Sequence, residues 1–83
     1  MTTPEPSFSV VRLREGYLID DVDDFLLEVR PLLDGRLPDP ALADRILNAR
    51  FRPVRLRAGY DMVQVDAYLD QLHALASQGH PRI

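Results

Sequence analysis

VRLREGY, residues 11–17, returns as VRLRAGY at residues 54–60, with Glu15 against Ala58 as the one difference. Extending that register sets FSVVRLREGYLIDDVDDFLLEVRPLL (8–33) over FRPVRLRAGYDMVQVDAYLDQLHALA (51–76) without a gap. Phe8 matches Phe51, and Val11, Arg12, Leu13 and Arg14 match Val54, Arg55, Leu56 and Arg57. Gly16 and Tyr17 match Gly59 and Tyr60, while Val22, Asp23 and Leu26 match Val65, Asp66 and Leu69. Phe25 with Tyr68 and Val29 with Leu72 are conservative pairs. Such a match marks a duplicated supersecondary unit, and missing it would misassign the fold.

Each unit begins with an arm. VRLR alternates apolar and charged residues, the period of a strand with one covered face, and being so short it fits an extended loop equally well. Gly16 and Gly59 are expected to supply a positive φ, turning the arm sharply into the next element.

A helix comes after the glycine. In the second unit Val65, Tyr68, Leu69, Leu72, Leu75 and Ala76 form one apolar stripe at helical spacing. Asp61 reads as its N-cap, with Gln64 completing a capping-box pattern. Asp66 lies in the early turns, where negative charge suits the helix dipole. Gly79 and Pro81 read as stop signals. The first unit repeats the stripe with Val22, Phe25, Leu26, Val29, Leu32 and Leu33. Leu18 stands where Asp61 does, so Asp20 is the expected cap. Pro31 cannot donate to the carbonyl four residues back, which kinks or ends this helix near Arg30. Between the units, Asp39-Pro40 opens a third helix running to about Arg50, with Leu42, Ile46 and Ala49 as its apolar face.

The expected fold is mainly α: two repeated loop–helix units (8–33 and 51–77), joined by a linker and short helix (34–50), in one domain over 1–83. The units are related by a pseudo-two-fold, with helices packed in coiled-coil fashion through Phe25, Leu26, Val29, Tyr68, Leu69 and Leu72. Tails 1–7 and 78–83 are expected to be flexible. A helix over Met62–Ala76 is about 22 Å long, and a middle helix of roughly 15 Å with flanking loop provides the return path. One chain can therefore form its own pseudo-dimer, and a domain-swapped homodimer remains the alternative.

Composition narrows the function. An 83-residue chain buries only about 60–65% of its unfolded surface. It has no cysteine, so disulfides and thiolate metal sites are excluded. No apolar run approaches the roughly 18–20 residues that span a bilayer, and MTTPEPSFSV has neither the basic start nor the apolar stretch of a signal peptide. The expected location is cytoplasmic. The net charge of −3 opposes nucleic acid as main partner. Five acids fall within Asp20–Glu28, five arginines within Arg45–Arg57, and all ten basic residues are arginine. Each cation is thus a planar fork suited to phosphate or carboxylate.

GYLIDDVDDFLLEV and GYDMVQVDAYLDQL resemble the N-terminal domain of DivIVA-type bacterial cell-division and polar-growth scaffolds. The shared pattern is an aromatic, an arginine-bearing turn, Gly-Tyr, an acidic stretch, Val-Asp, an aromatic, Leu and an apolar stripe. LPDPALADRILNARF also resembles that family's short leading helix. The resemblance covers Phe8–Leu33 and Leu37–Ala76. It implies a dimeric arrangement whose turns face the membrane and whose helices continue into a coiled coil. The structural motif would be Gly16, Tyr17, Val22, Asp23, Gly59, Tyr60, Val65 and Asp66. The membrane- or partner-facing residues would be Arg12, Leu13, Arg14, Arg55, Leu56 and Arg57. Two features depart from the family. The residues nearest the glycines are Arg14, Glu15, Arg57 and Ala58 rather than phenylalanine, and the family's long coiled coil after Ala76 is expected to be missing.

The resulting expectation is a non-enzymatic scaffold or adaptor without cofactor or metal, peripheral at the inner face of the cell membrane. Its partners would be anionic lipid, another protein or a second copy. The alternative is a soluble protein-interaction or dimerisation module without membrane contact. The turn arginines either face lipid or pair with the acids of Asp20–Glu28. The sequence offers no nucleophile with a matching base, no phosphate loop and no metal-ligand spacing. The run Asp20–Asp24 lacks the glycine and terminal glutamate of an EF-hand. His73 and His80 read as solvated surface.

Overall fold

A computed structural model describes residues 5–34 and 37–78. The expected stop signals Gly79 and Pro81, the tail residue His80, and the expected flexibility of 1–4 and 79–83 lie outside the described residues. The elements run in the order β1 (Val10–Val11), β2 (Gly16–Leu18), α1 (Ile19–Val29), a 3-10 turn (Arg30–Asp34), α2 (Pro40–Leu47), β3 (Pro53–Val54), β4 (Gly59–Tyr60) and α3 (Met62–Gln78).

The mainly α expectation is wrong. The fold is mixed: three helices stand on a four-stranded antiparallel sheet of order β1-β4-β2-β3. VRLR is strand only at its first residue: Val11 and Val54 end β1 and β3, and Arg12–Arg14 and Arg55–Arg57 form the turns. Strands of two or three residues carry no readable period, and their partners lie in the other repeat.

The sheet interlocks the two units. Unit one contributes β1 and β2, yet β4 of unit two lies between them. Val10 and Val11 pair with Tyr60 and Gly59, and their counterparts Pro53 and Val54 pair with Tyr17 and Gly16. At the centre Tyr17 pairs with Tyr60, so the pseudo-two-fold passes between the two copies of one residue. Beyond the ladder, the amide of Leu18 donates to the Arg52 carbonyl (2.8 Å) and that of Asp61 to the Ser9 carbonyl (2.9 Å).

The glycines serve this crossing. Neither has a left-handed φ, contrary to the turn role expected of them. A Cβ on Gly16 would lie 2.8 Å from both the Tyr60 carbonyl oxygen and Val11 Cγ2. On Gly59 it would lie 2.8 Å from Val54 Cγ2 and 3.0 Å from the Tyr17 carbonyl oxygen. Backbone crosses backbone there, and a side chain would hold the strands apart.

The helices follow their local signals only in part. Gln64 Oε1 accepts from the Ser9 amide (2.6 Å) and not from that of Asp61, so the expected capping box does not close, and Leu32 of the expected apolar stripe is exposed. Leu18, the last residue of β2, occupies the N-cap and makes no side-chain cap bond. Asp20, expected as the cap, lies with Asp21 in the first helical turn, because β2 runs directly into the helix. α1 ends at Val29, and Pro31 falls in the 3-10 turn. Asp39 Oδ1 caps α2 by accepting from the Leu42 amide (3.1 Å), with Pro40 in the first turn. α2 stops at Leu47, short of Arg50. Asp61 Oδ1 caps α3 by accepting from the Gln64 amide (3.0 Å).

The core repeats the symmetry. Its most deeply buried side chains, Val22, Val65, Val29 and Leu72, are two repeat-related pairs. Leu33 and Ala76 are a third pair, both buried. α2 has no counterpart in unit one and packs antiparallel on α3, with the Asp39 amide donating to the Ala76 carbonyl at 2.7 Å. Its buried face is Leu42, Ala43 and Ile46; Ala49 is half-buried. α1, the 3-10 turn, α2 and α3 thus share one apolar cluster, not the two-helix seam of a coiled coil.

Candidate functional site: the paired arginine turns

The links β1–β2 and β3–β4, residues 12–15 and 55–58, are the two copies of the arginine turn. Interlocking brings them together: Glu15 Oε2 of the first approaches Arg55 Nη2 of the second at 3.8 Å. Leu13 is 94% exposed and Leu56 92% exposed, more than any other large apolar residue among those described. A leucine so placed gains nothing from the fold.

The four arginines divide into two kinds. Arg14 Nη2 donates to Asp61 Oδ2 at 2.7 Å, and Arg55 faces Glu15. Arg12 and Arg57 make no hydrogen bond or ion pair among the described residues. The division arises from the residues that differ between the repeats. The counterpart of Asp61 is Leu18, so Arg57 lacks the partner that Arg14 has. The counterpart of Glu15 is Ala58, so Arg12 lacks the partner that Arg55 has. The expected internal partners, the acids of Asp20–Glu28, do not hold the turns. They hold other arginines: Asp21 accepts from the Arg52 side chain (2.8 and 3.0 Å), and Glu28 pairs with Arg45.

Beneath the turns the Gly-Tyr and Val-Asp motifs lock to each other. The Tyr17 hydroxyl donates to Asp66 Oδ1 and the Tyr60 hydroxyl to Asp23 Oδ1, both at 2.8 Å. Burial and the Asp66 bond push the Tyr17 hydroxyl up to about 12. Burial and Asp23 push Tyr60 in the same direction. Phe8 lies against Tyr60 and Tyr68 (centroids 5.1 and 5.5 Å), and Phe51 against Tyr17 and Phe25 (5.4 and 5.6 Å). The Gln64 amide bond and then Arg14 draw the Asp61 carboxyl below its usual range. Hydrogen bonds from the Arg52 side chain, and then from its backbone amide, hold Asp21 down at about 2. The motif acids Asp23 and Asp66, expected to serve helix starts, are thus acceptors for tyrosines of the opposite unit. Their recurrence at one spacing after Gly-Tyr was the available signal.

A concavity of about 380 Å³ opens between α2 and α3. Tyr17, Ile46, Leu47, Ala49, Arg50, Phe51, Asp66, Leu69, Asp70 and His73 line it. His73 is therefore half-buried at a groove and not simply solvated. Sequence reading missed this groove, because no motif marks it. Among the described residues no cluster of His, Cys, Asp or Glu could hold a metal ion, and no helix is long and apolar enough to cross a membrane.

No family model, curated protein or solved structure matches this chain. The resemblance to DivIVA-type domains therefore stands on the quoted residues alone.

Proposed function

We propose that the chain is a non-enzymatic adaptor whose paired turns meet an anionic membrane surface, with Leu13 and Leu56 entering the headgroup region and Arg12 and Arg57 facing phosphate. The observation carrying this reading is the near-complete exposure of two repeat-related leucines, each beside an arginine without an internal partner. A role as a scaffold of bacterial cell division or polar growth rests on the resemblance of the turn and helix motifs.

Magnitudes limit how it would work. A basic residue near an anionic surface contributes about 1 kcal/mol. Four free arginines would give roughly 4 kcal/mol, a millimolar affinity. Only two are free of internal partners, so the leucines or multivalency must supply the rest.

Vesicle sedimentation tests it. The chain should pellet with vesicles containing anionic phospholipid at low salt, and not with purely zwitterionic ones. Salt should weaken binding as the Debye length shrinks. Arg12→Glu with Arg57→Glu, and separately Leu13→Asp with Leu56→Asp, should each reduce it. Absence of binding at low salt sinks the membrane reading and leaves the soluble interaction module.

A further inference from the structure

We infer that the second arginine turn of one copy docks into the α2/α3 groove of another, making a head-to-tail contact between copies of this chain. The contact uses Leu56 and Arg57, which the membrane reading gives to lipid, so a docked second turn is withheld from the membrane and the contact is tested in the absence of lipid.

The groove has two chemistries. Its apolar wall is formed by Ala49, Phe51 and Leu69, and Leu47 stands at 61% exposure beside it. Its α3 side carries Asp66 and Asp70, one helical turn apart. One oxygen of Asp66 is taken by Tyr17, and the Asp70 side chain has no hydrogen bond or ion pair among the described residues. Arg50 also lines the groove. The best occupant is an apolar side chain with an adjacent cation that enters on the α3 side.

The chain itself presents that combination. Leu56 is followed by Arg57, and neither is engaged in its own molecule. Turn two fits better than turn one because of the same differences between the repeats. Ala58 replaces Glu15, whose carboxylate would face Asp66 and Asp70 across the contact. Arg57 is free, whereas the equivalent Arg14 is bound to Asp61. The volume of about 380 Å³ falls in the range of pockets that hold small ligands, ample for a leucine and part of a guanidinium. Knob and groove are different surfaces, so the contact is heterologous and each docked copy still offers a free groove or knob.

The test is sedimentation velocity of the full chain without lipid. The weight-average sedimentation coefficient should rise between about 10 μM and about 1 mM, the range in which a weak contact fills. The rise should shrink as salt goes from about 20 to about 500 mM. Leu56→Asp removes the knob, and Asp70→Arg or Leu47→Asp removes the groove; each variant alone should stay monomeric while keeping its circular dichroism. Mixing Leu56→Asp with Asp70→Arg pairs one intact groove with one intact knob. That mixture should form a heterodimer and stop there. A wild-type chain that stays monomeric throughout, or variants that fail to associate when mixed, would overturn the inference.

Discussion

A methyl group at residue 59 has nowhere to go. It would press on Val54 Cγ2 and the Tyr17 carbonyl, and at residue 16 on Val11 and the Tyr60 carbonyl. Overpacking of this kind costs about 1–3 kcal/mol, so Gly59→Ala and Gly16→Ala should each lower Tm by roughly 5–20 °C in a domain of this size. Ala58→Gly, one residue away, should change Tm far less; thermal melts of the three variants check the ordering. The tyrosines paired at the same crossing set a pH limit. The Tyr17 hydroxyl is raised from 10.0 to about 12 in the folded chain. The folded state therefore holds this proton more tightly than the unfolded one, and its stabilisation is complete below about pH 10 and lost as pH rises through about 12. Tyr60 acts in the same direction. Urea midpoints should fall across that window, and less steeply in Tyr17→Phe. An equal slope in the variant would mean another group controls the loss. At this scale the sequence showed which residues matter but not why. Gly16 and Gly59 stand out in the repeat, yet a glycine needed for positive φ and one needed for backbone contact look the same until the opposing strand is known.

Among the elements, α3 was the most legible and α1 the least regular. Asp61 and Gln64 signal the start of α3, and the Asp61 side chain both caps the helix and holds Arg14. Losing such a cap costs about 0.5–2 kcal/mol. Asp61→Ala should therefore destabilise the chain by about 1 kcal/mol, and Asp61→Asn by less, since it keeps an oxygen for the Gln64 amide. Denaturant unfolding of the pair separates the cap from the charge; equal losses would place the whole effect in the Arg14 pair. α1 manages without such a cap because its first residues continue from a paired strand. The expectation of an Asp20 cap failed for that reason. It weighed local propensity, while the helix start was set by a hydrogen bond from Leu18 to Arg52 in the other unit. The sheet escaped for a related reason. Its strands are too short to show a period, and every ladder joins residues of different repeats.

For the molecule as a whole, duplication lets one chain supply both halves of the sheet and core. The ladder, both tyrosine–aspartate bonds and the deepest core layers each take one residue from either unit. The symmetry was legible because it is written in identities; its interlocked form was not, since a repeat says that two units correspond but not which surfaces meet. If the chain closes on itself, unfolding is unimolecular. Measured in Leu56→Asp, where the proposed head-to-tail contact is absent, Tm should not change between about 5 and about 100 μM. A swapped homodimer, the other way to satisfy the same ladders, couples folding to association and would raise Tm with concentration. Leu72→Ala sharpens the comparison. Leu72 is fully buried, as is its repeat counterpart Val29, and its truncation costs about 2–5 kcal/mol, a large share of the roughly 5–15 kcal/mol typical of domains. In a closed monomer that loss should lower Tm equally at every concentration. In a swapped dimer, added protein would recover part of it, and such recovery would sink the closed pseudo-dimer.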